Sequence, residues 1–267
     1  GAINDRAIYH IDNAYFIPNI EIESYRCKTN TVSNTAFRGF GGPQGMLCIE
    51  NILENISQKL NKDSCEIRKI NFYKNKTKNE THYGMKITDN VISDIFDQLI
   101  NKSQYYKRKK DIEKFNRKNK ILKKGISITP VKFGISFTTT HLNQAGALVH
   151  IYTDGSIHLN HGGIEMGQGL MTKLAQITSH EFGLNYNSIK ITSTDTEKVP
   201  NTSASAASAT TDLNGGAIIN AISKIKSNLN TFIYDYFNTN GIIKYENENV
   251  HFDRRKISFK ELINKAY

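Results

Sequence analysis

Ala36-Phe37-Arg38-Gly39-Phe40-Gly41-Gly42-Pro43 is a glycine-rich turn that leads directly into a helical pattern. Pro43 suits the first turn of a helix, where its missing N–H leaves no hydrogen bond unmade. The helix would present one apolar face made of Met46, Ile49, Leu53, Ile56 and Leu60. The turn has neither the Walker pattern nor the dinucleotide fingerprint. Because Phe40 stands among glycines, stacking on a ligand is as reasonable an interpretation as core packing.

Length and composition set the first limits on the kind of protein. The chain has 267 residues with 38% hydrophobic content, enough for one large domain or two small ones. Its sequence contains neither an apolar run long enough to span a bilayer nor a signal peptide pattern at the start. Cys27, Cys48 and Cys65 form no C-x-x-C pair, which disfavours a disulfide framework or an iron–sulfur site and fits a reducing cytoplasm.

The positive charge is concentrated in two runs. The formal net charge is +10, and much of the excess lies in Lys74–Lys78 and Lys102–Lys124. Such runs can bind nucleic acid. However, the aromatic residues of the second run follow no RNA-binding pattern, so a solvated helix face is the preferred interpretation and nucleic acid is the alternative.

The spacing of apolar and turn residues predicts an α+β fold with mixed sheets and packed helices. Strands are predicted at residues 21–29, 125–137, 147–153, 156–160 and 188–194. Helices are predicted to start at Pro43 and Asn90 and to cover residues 63–72, 105–120, 167–182, 213–233 and 259–267. Asp63 and Asn90 suit N-caps, Gly183 suits a helix stop, and Asp154-Gly155 suits a hairpin turn. The helix at Asn90 would turn inward Ile92, Ile95, Phe96 and Leu99.

Three loops rich in small residues each precede or open a predicted helix. They cover residues 36–42, 162–169 and 202–210. Small side chains let backbone N–H groups approach a ligand closely, and helix N-termini favour anions. Any one of these loops is more typical of a packing turn, whereas three of them would suit a ligand with phosphate and ring heteroatoms.

Ordered motifs along the chain resemble the xanthine dehydrogenase family of molybdenum hydroxylases. The matching segments are Arg6, residues 11–13, 17–19 and 27–30, Ser33–Met46, Pro130–Thr138, Leu142–Leu148, His161–Gly169 and Pro200–Ser208. The resemblance extends to about Ile225 and is nearest to the bacterial type with a separate large molybdenum subunit. It implies two parts of the molybdopterin-binding region, residues 1–120 and 121–267, in a chain cut from a longer subunit.

The resemblance implies four substrate-binding residues. Arg6 matches an arginine that faces the purine, where a fixed guanidinium suits an oxo group. Phe40 and Phe137 match two phenylalanines that hold the ring on either side, and Thr138 matches a neighbouring hydroxyl. Without the resemblance, Arg6 would suit a surface salt bridge and Phe137 a core strand.

The resemblance also implies a set of cofactor-binding residues. They are Phe37, Arg38, Met166, Gly167, Gln168, Ser205, Ala206, Ala207, Ser208 and Thr210. The backbone of Arg38 and that of Ala207 would lie near the molybdenum. Ser205 departs from the usual threonine, and Ala209 stands where a larger residue is common, but the hydroxyl groups are kept.

Catalysis in the family uses a glutamate in a Gly-Glu-Pro-Pro segment, which this sequence does not contain. No catalytic residue is therefore assigned. Glu165 is not equivalent to that base, and His158 and His161 do not suggest a metal pair. The chain alone is expected to be inactive.

The resemblance implies a purine substrate oxidised to urate and a molybdenum–molybdopterin cofactor. The 2Fe-2S clusters, FAD and NAD would belong to partner subunits or domains, in a homo-oligomer of the heteromer. Two alternatives stay open. One is an aldehyde oxidase, which Arg6 disfavours because aldehyde oxidases usually lack an arginine at that position. The other is a non-catalytic remnant of the subunit.

Overall fold

A computed structural model describes residues 1–33, 36–197, 202–206 and 209–267. The chain divides into two compact units, Gly1–Gly134 and Ile135–Tyr267. The division after residue 120, which was predicted for the cofactor-binding regions, stays a prediction. The described residues form helices and two small sheets, as expected of an α+β fold.

The first unit is helical in its described residues. Its helices are α1 (Ala2–His10), α2 (Gly42–Leu60), α3 (Ser64–Asn71), α4 (Ile92–Lys102) and α5 (Tyr105–Lys118). The predicted start of α2 is confirmed, with a proline in its first turn. Asp63 accepts a hydrogen bond from the Cys65 N–H at 2.8 Å, and Asn90 accepts one from the Ile92 N–H at 3.1 Å. The predicted cap at Asp63 is therefore confirmed, whereas the N-cap of α4 is Val91, one residue after the predicted Asn90.

The core of the first unit is aromatic. Tyr15, Phe72, Phe96 and Tyr105 are fully or nearly fully buried. Burial of Tyr105 ties the basic helix α5 to the core and leaves its charged side chains outside. The predicted apolar faces were partly wrong, because four of their members are 38% to 57% exposed, namely Ile56, Leu60, Ile95 and Leu99.

Two predicted strands are not strands. Residues 21–29 form no strand and are almost entirely exposed, so their alternation has no buried face to match. Residues 125–137 form no ladder either. The backbone groups of this second segment are held by side chains instead: Asn13 donates to the Pro130 carbonyl and accepts from the Lys132 N–H, both at 2.9 Å.

The second unit begins with a small mixed sheet. Strands β1 (Ala147–Ile151) and β2 (Ile157–His161) form an antiparallel hairpin through the predicted turn, in which Asp154 accepts from the Ser156 N–H. Helix α6 (Leu170–Phe182) ends at Gly183 in the left-handed conformation, as predicted. Strand β3 (Ile189–Ile191) then pairs in parallel with β2.

A long helix and a second sheet complete the second unit. Helix α7 (Ala209–Phe237) packs on α6 and β1. An antiparallel sheet of β4 (Lys244–Glu246), β5 (Asn249–Phe252) and β6 (Arg255–Ser258) follows, and then α8 (Phe259–Ala266). Leu174, Phe182, Ile218 and Phe259 lie in its common core. Within the described ranges, helices long and apolar enough to cross a bilayer are absent.

Candidate cofactor and substrate site

Two small-residue loops meet where α6 and α7 begin. The Ile164 N–H donates to Ser205 Oγ at 2.7 Å and so joins loop 162–169 to loop 202–206. Gly162 lies against Thr202, and Gly163 lies against Thr210 in the first turn of α7. A side chain at either glycine would push the loops apart, so glycine is required for this close approach.

A third segment is attached to the same place. The side-chain amide of Asn143 bonds both backbone groups of Phe137, at 2.8 and 2.9 Å. The backbone of Gln144 then exchanges hydrogen bonds with Ser203, through its carbonyl at 2.9 Å and its N–H at 3.1 Å. Phe137 is half-buried and Thr138 is exposed. The second unit thus joins Phe137 and Thr138 to the loop that carries Ser205 and Ala206.

The edge of loop 162–169 is open. Gly167 and Gly169 have φ angles of 94° and 74°, and a Cβ at either position would meet no atom within 4 Å. Met166 is 62% exposed. The Thr210 hydroxyl lies buried at the base of these loops, with no hydrogen-bond partner among the described residues. A ligand can approach the backbone of these two glycines closely, and the buried hydroxyl group has no partner. Both features are typical of a binding site for a polar ligand.

The Glu165 carboxylate is hydrogen-bonded to its own loop and does not face a reactant. Its carboxylate accepts hydrogen bonds from the N–H groups of Gly167, Gly169 and Met171, at 2.8, 3.0 and 3.2 Å. Desolvation opposes ionisation of this carboxyl group, but the hydrogen bonds from backbone N–H groups outweigh it and hold the pKa of Glu165 below its ordinary value. A carboxylate with a lowered pKa at a helix start is an anchor and a poor proton acceptor.

The Gln168 amide is also engaged within its own loop. Its Oε1 accepts from the Met166 N–H at 2.6 Å, and its Nε2 donates to the Ile164 carbonyl at 2.8 Å. The second hydrogen on Nε2 and the second lone pair on Oε1 are the groups that a ligand could use.

His161 is fully buried at the root of the loop. Its Nδ1 accepts from the Gly163 N–H at 3.1 Å, and its Nε2 lies 3.1 Å from Met171 Sδ. Burial lowers the pKa of His161. The described residues contain no cluster of three or more potential metal ligands, at His158 and His161 or elsewhere.

Arg6 and loop 36–42 come together in the first unit. Gly41 packs against the backbone of Ile3 on α1, and Gly42 packs against the ring of Phe133. The Arg6 guanidinium carbon lies 5.6 Å from the centre of that ring, and Arg6 Nη1 donates to the Gly134 carbonyl at 2.7 Å. Arg6 is 5% exposed, so the surface salt bridge considered for it is wrong.

Loop 36–42 holds a bulky residue in a strained conformation. Gly39, Phe40 and Gly41 have φ angles of 91°, 51° and 105° in succession. A positive φ is costly for an aromatic residue, and strain of this kind concentrates at functional sites. Phe40 is half-buried, whereas Phe37 and Arg38 are exposed.

The predicted residues therefore fall into two groups, one in each unit. Arg6, Phe37, Arg38 and Phe40 belong to the first unit, and the others to the second. Ala207 and Ser208 lie outside the described residues. Sequence reasoning missed His10, Asn13 and Asn143, which hold the site segments. His10 stands one helical turn after Arg6, and that spacing was the one signal that could have found it.

Comparison with known families identifies the class of protein. The family described as "Molybdopterin cofactor-binding domain" matches residues 98–267, and a second family of the same description matches residues 1–72. The chain belongs to the molybdopterin cofactor-binding domains.

Curated relatives of the chain include xanthine dehydrogenases. The chain is 51% identical to that of Dictyostelium discoideum over 83% of its own length, and 45% identical to that of Calliphora vicina over 100%. It is 50% identical to the xanthine dehydrogenase/oxidase of Mus musculus over 86%. The chain spans only 16% to 18% of the length of these three relatives.

Solved structures share the fold. Quinoline 2-oxidoreductase from Pseudomonas putida 86 superposes with a TM-score of 0.82 at 18% identity, over 98% of this chain and 34% of that one. CO dehydrogenase from Oligotropha carboxidovorans superposes with a TM-score of 0.69 at 17% identity, over 86% and 30%. The predicted fold class is confirmed.

Proposed function

We propose that this chain is a molybdopterin-binding part of a xanthine dehydrogenase-type molybdenum hydroxylase that acts on purines. The hydrogen bond from Ile164 to Ser205 carries the proposal. It holds two loops of small residues together at the starts of α6 and α7, with the open glycine edge beside them. A pterin with a phosphate group matches this edge, because backbone N–H groups and helix starts favour anions.

The loops of the second unit hold the cofactor in this proposal. Met166, Gly167 and Gln168 contribute one wall, and Ser205, Ala206 and Thr210 the other. The unmatched Thr210 hydroxyl supports this assignment. The assignment of Ala207 and Ser208 to the cofactor rests on the resemblance alone. When bound, molybdenum–molybdopterin supplies oxygen-atom transfer to a purine carbon and accepts two electrons.

The roles that the resemblance gives to the substrate residues are part of this proposal, and each unit is described by itself. In the first unit, Arg6 binds a purine oxo group and offsets charge that develops there, and Phe40 stacks on a purine ring. In the second unit, Phe137 contacts a purine ring and Thr138 donates a hydrogen bond. The backbone of Phe37 and Arg38 faces the cofactor. The depression of about 820 Å³ formed by residues 16–21 and 80–82 contains none of these residues.

The remaining parts of the reaction are assigned to segments outside these 267 residues. A general-base glutamate, the 2Fe-2S clusters, FAD and the NAD site are the parts required. We propose that they belong to other domains or to a partner subunit, in an oligomeric enzyme of the cytoplasm. The separate-large-subunit arrangement of the bacterial type stays a prediction, since the three relatives named above come from Dictyostelium discoideum, Calliphora vicina and Mus musculus.

Cofactor binding is tested by the fluorescence of the oxidised pterin released from protein made in a host that synthesises molybdopterin. Gly167→Ala should lower the pterin content about tenfold, equal to ~1.4 kcal/mol of binding free energy, because a methyl group would occupy the open edge. Gly84→Ala is the matched control, with a φ of 82° and equally open surroundings in the first unit. Equal pterin content in both variants would contradict the proposal.

Substrate class is tested in a longer protein that carries the missing segments. Xanthine should support dye reduction far better than benzaldehyde, and Arg6→Met should lower the preference. A preference for benzaldehyde would favour the aldehyde oxidase alternative. The 267-residue chain alone, loaded with cofactor, should not reduce dye with xanthine.

A further inference from the structure

Gly134 is held at both of its backbone groups by one helix. Its carbonyl accepts from Arg6 Nη1 at 2.7 Å, and its N–H donates to His10 Nε2 at 2.9 Å. His10 is also hydrogen-bonded to the backbone of Arg6, since its Nδ1 lies 2.9 Å from the Arg6 carbonyl oxygen. Arg6, His10 and Gly134 therefore form a closed ring of three hydrogen bonds, here called the Gly134 clamp.

The clamp determines the protonation state of His10. A carbonyl oxygen only accepts, so Nδ1 must carry a hydrogen. Nε2 accepts a hydrogen bond from the Gly134 N–H and must therefore be unprotonated. Only the neutral Nδ1–H tautomer satisfies both bonds. An imidazolium would place its Nε2–H against the Gly134 N–H, which is a contact between two donors.

We propose that His10 is a positioning residue for Arg6, and that protonation of His10 releases the clamp and with it the orientation of the guanidinium. The proposal rests on the proposed function in so far as Arg6 binds substrate. His10 is 3% exposed and its ring lies 4.9 Å from that of Phe133, the ring that Arg6 also faces. Gly42 of the glycine-rich loop packs on the same ring, so the clamp also supports that loop.

The surroundings favour the neutral form of His10. Burial lowers its pKa, and the positive charges of Arg6 and Lys132 lower it further, against the hydrogen bond to the Arg6 carbonyl and the charge of Asp12. Arg6 lies on the same helix, Asp12 follows that helix, and Lys132 lies on the segment that carries Gly134. The clamp is therefore closed at neutral pH and opens as the pH falls through the lowered pKa of His10.

Two substitutions separate the bonds of His10. In His10→Gln the amide reaches the position of Nε2 and accepts the Gly134 N–H, but it does not titrate. In His10→Asn the shorter amide reaches only the position of Nδ1, so the Gly134 bond is lost. His180→Asn is the control, because His180 is exposed on the other unit.

The experiment uses the full-length, cofactor-loaded enzyme that contains this chain. For His10→Asn we expect kcat/KM for xanthine to fall about five- to tenfold at pH 7.5, mainly through KM, as for one lost hydrogen bond. His10→Gln should stay within about twofold of the unmodified protein and should lack its acid limb below about pH 6.5. The control should reproduce the unmodified profile.

Hydrogen exchange of the backbone at residues 130–134, measured without substrate, is the second readout. His10→Asn should raise the exchange rate of this segment, and His10→Gln should not. Equal exchange in all variants, or an acid limb that persists in His10→Gln, would overturn the proposal. If the unmodified enzyme does not turn over xanthine, the proposed function fails, while the exchange comparison still decides whether the clamp exists.

Discussion

The Ser205 hydroxyl accepts the backbone N–H of Ile164 at 2.7 Å, across 41 positions of sequence. This bond joins the loop that precedes α6 to the loop that precedes α7. Both loops carry predicted cofactor-binding residues, so this hydroxyl group helps to fix their relative position. The resemblance places a threonine at this position in the family, and threonine has the same hydroxyl group.

Ser205→Thr should therefore keep the loops joined, whereas Ser205→Ala should separate them. Loss of one hydrogen bond should lower the free energy of unfolding by about 1 kcal/mol in the alanine variant, measured by urea denaturation. Pterin content should fall about fivefold with it. Equal stability and pterin content in the two variants would show that the bond has no role.

Glu165→Gln should weaken the start of α6 in a pH-dependent way. The folded-state pKa of Glu165 is lowered, so its contribution to stability is present above the unfolded-state pKa of about 4.3 and is lost as the pH falls through the folded-state value. The melting temperature of the variant should be lower than that of the unmodified protein at pH 7, and the difference should shrink below about pH 4.3. Glu113→Gln, at an exposed position on α5, should show no such trend.

Asp12→Asn should destabilise the first unit strongly. Asp12 is 1% exposed and accepts from Tyr73 Oη at 2.6 Å and from Lys132 Nζ at 2.5 Å. Removing the negative charge leaves Lys132 partly buried and unpaired, which should lower the free energy of unfolding by about 3 kcal/mol.

Asp97→Asn is the matched control for the buried pair. Asp97 bonds Lys69 at 2.6 Å, but both side chains are about half exposed, so the loss should be at most about 1 kcal/mol. Denaturation in added salt should erase the Asp97 effect and leave most of the Asp12 effect. A similar loss in both variants would contradict the special role given to Asp12.

Gly41→Ala should disturb the packing of loop 36–42 on α1. Gly41 has a φ of 105°, and a Cβ there would run into the carbonyl oxygen of Ile3. The combined backbone and packing penalty should be about 2–5 kcal/mol. Gly84→Ala has a similar φ but open surroundings, so it should lose only about 1–2 kcal/mol. Equal losses of unfolding free energy in Gly41→Ala and Gly84→Ala would mean that the contact between Gly41 and Ile3 is not close.

Local signals in the sequence were sufficient for much of the fold. The cap at Asp63, the stop at Gly183 and the Asp154-Gly155 turn depend on residues close in sequence, and all were confirmed. The family resemblance supplied the candidate site residues, whose roles stay predictions. Two strands that needed a distant partner, those predicted at residues 21–29 and 125–137, were wrong, whereas the strand predicted at residues 188–194 is present as β3.

By itself, the sequence determined where helices and turns begin and which motifs place the chain among the molybdopterin cofactor-binding domains. The tertiary structure alone decided that residues 130–134 are held by the side chains of Arg6, His10 and Asn13 instead of by a strand, and that Glu165 caps a loop. The physical reason is that a backbone N–H or carbonyl must be hydrogen-bonded wherever it is buried. Its partner can be a side chain more than a hundred positions away, as His10 is to Gly134. The local spacing of residues does not predict such a partner.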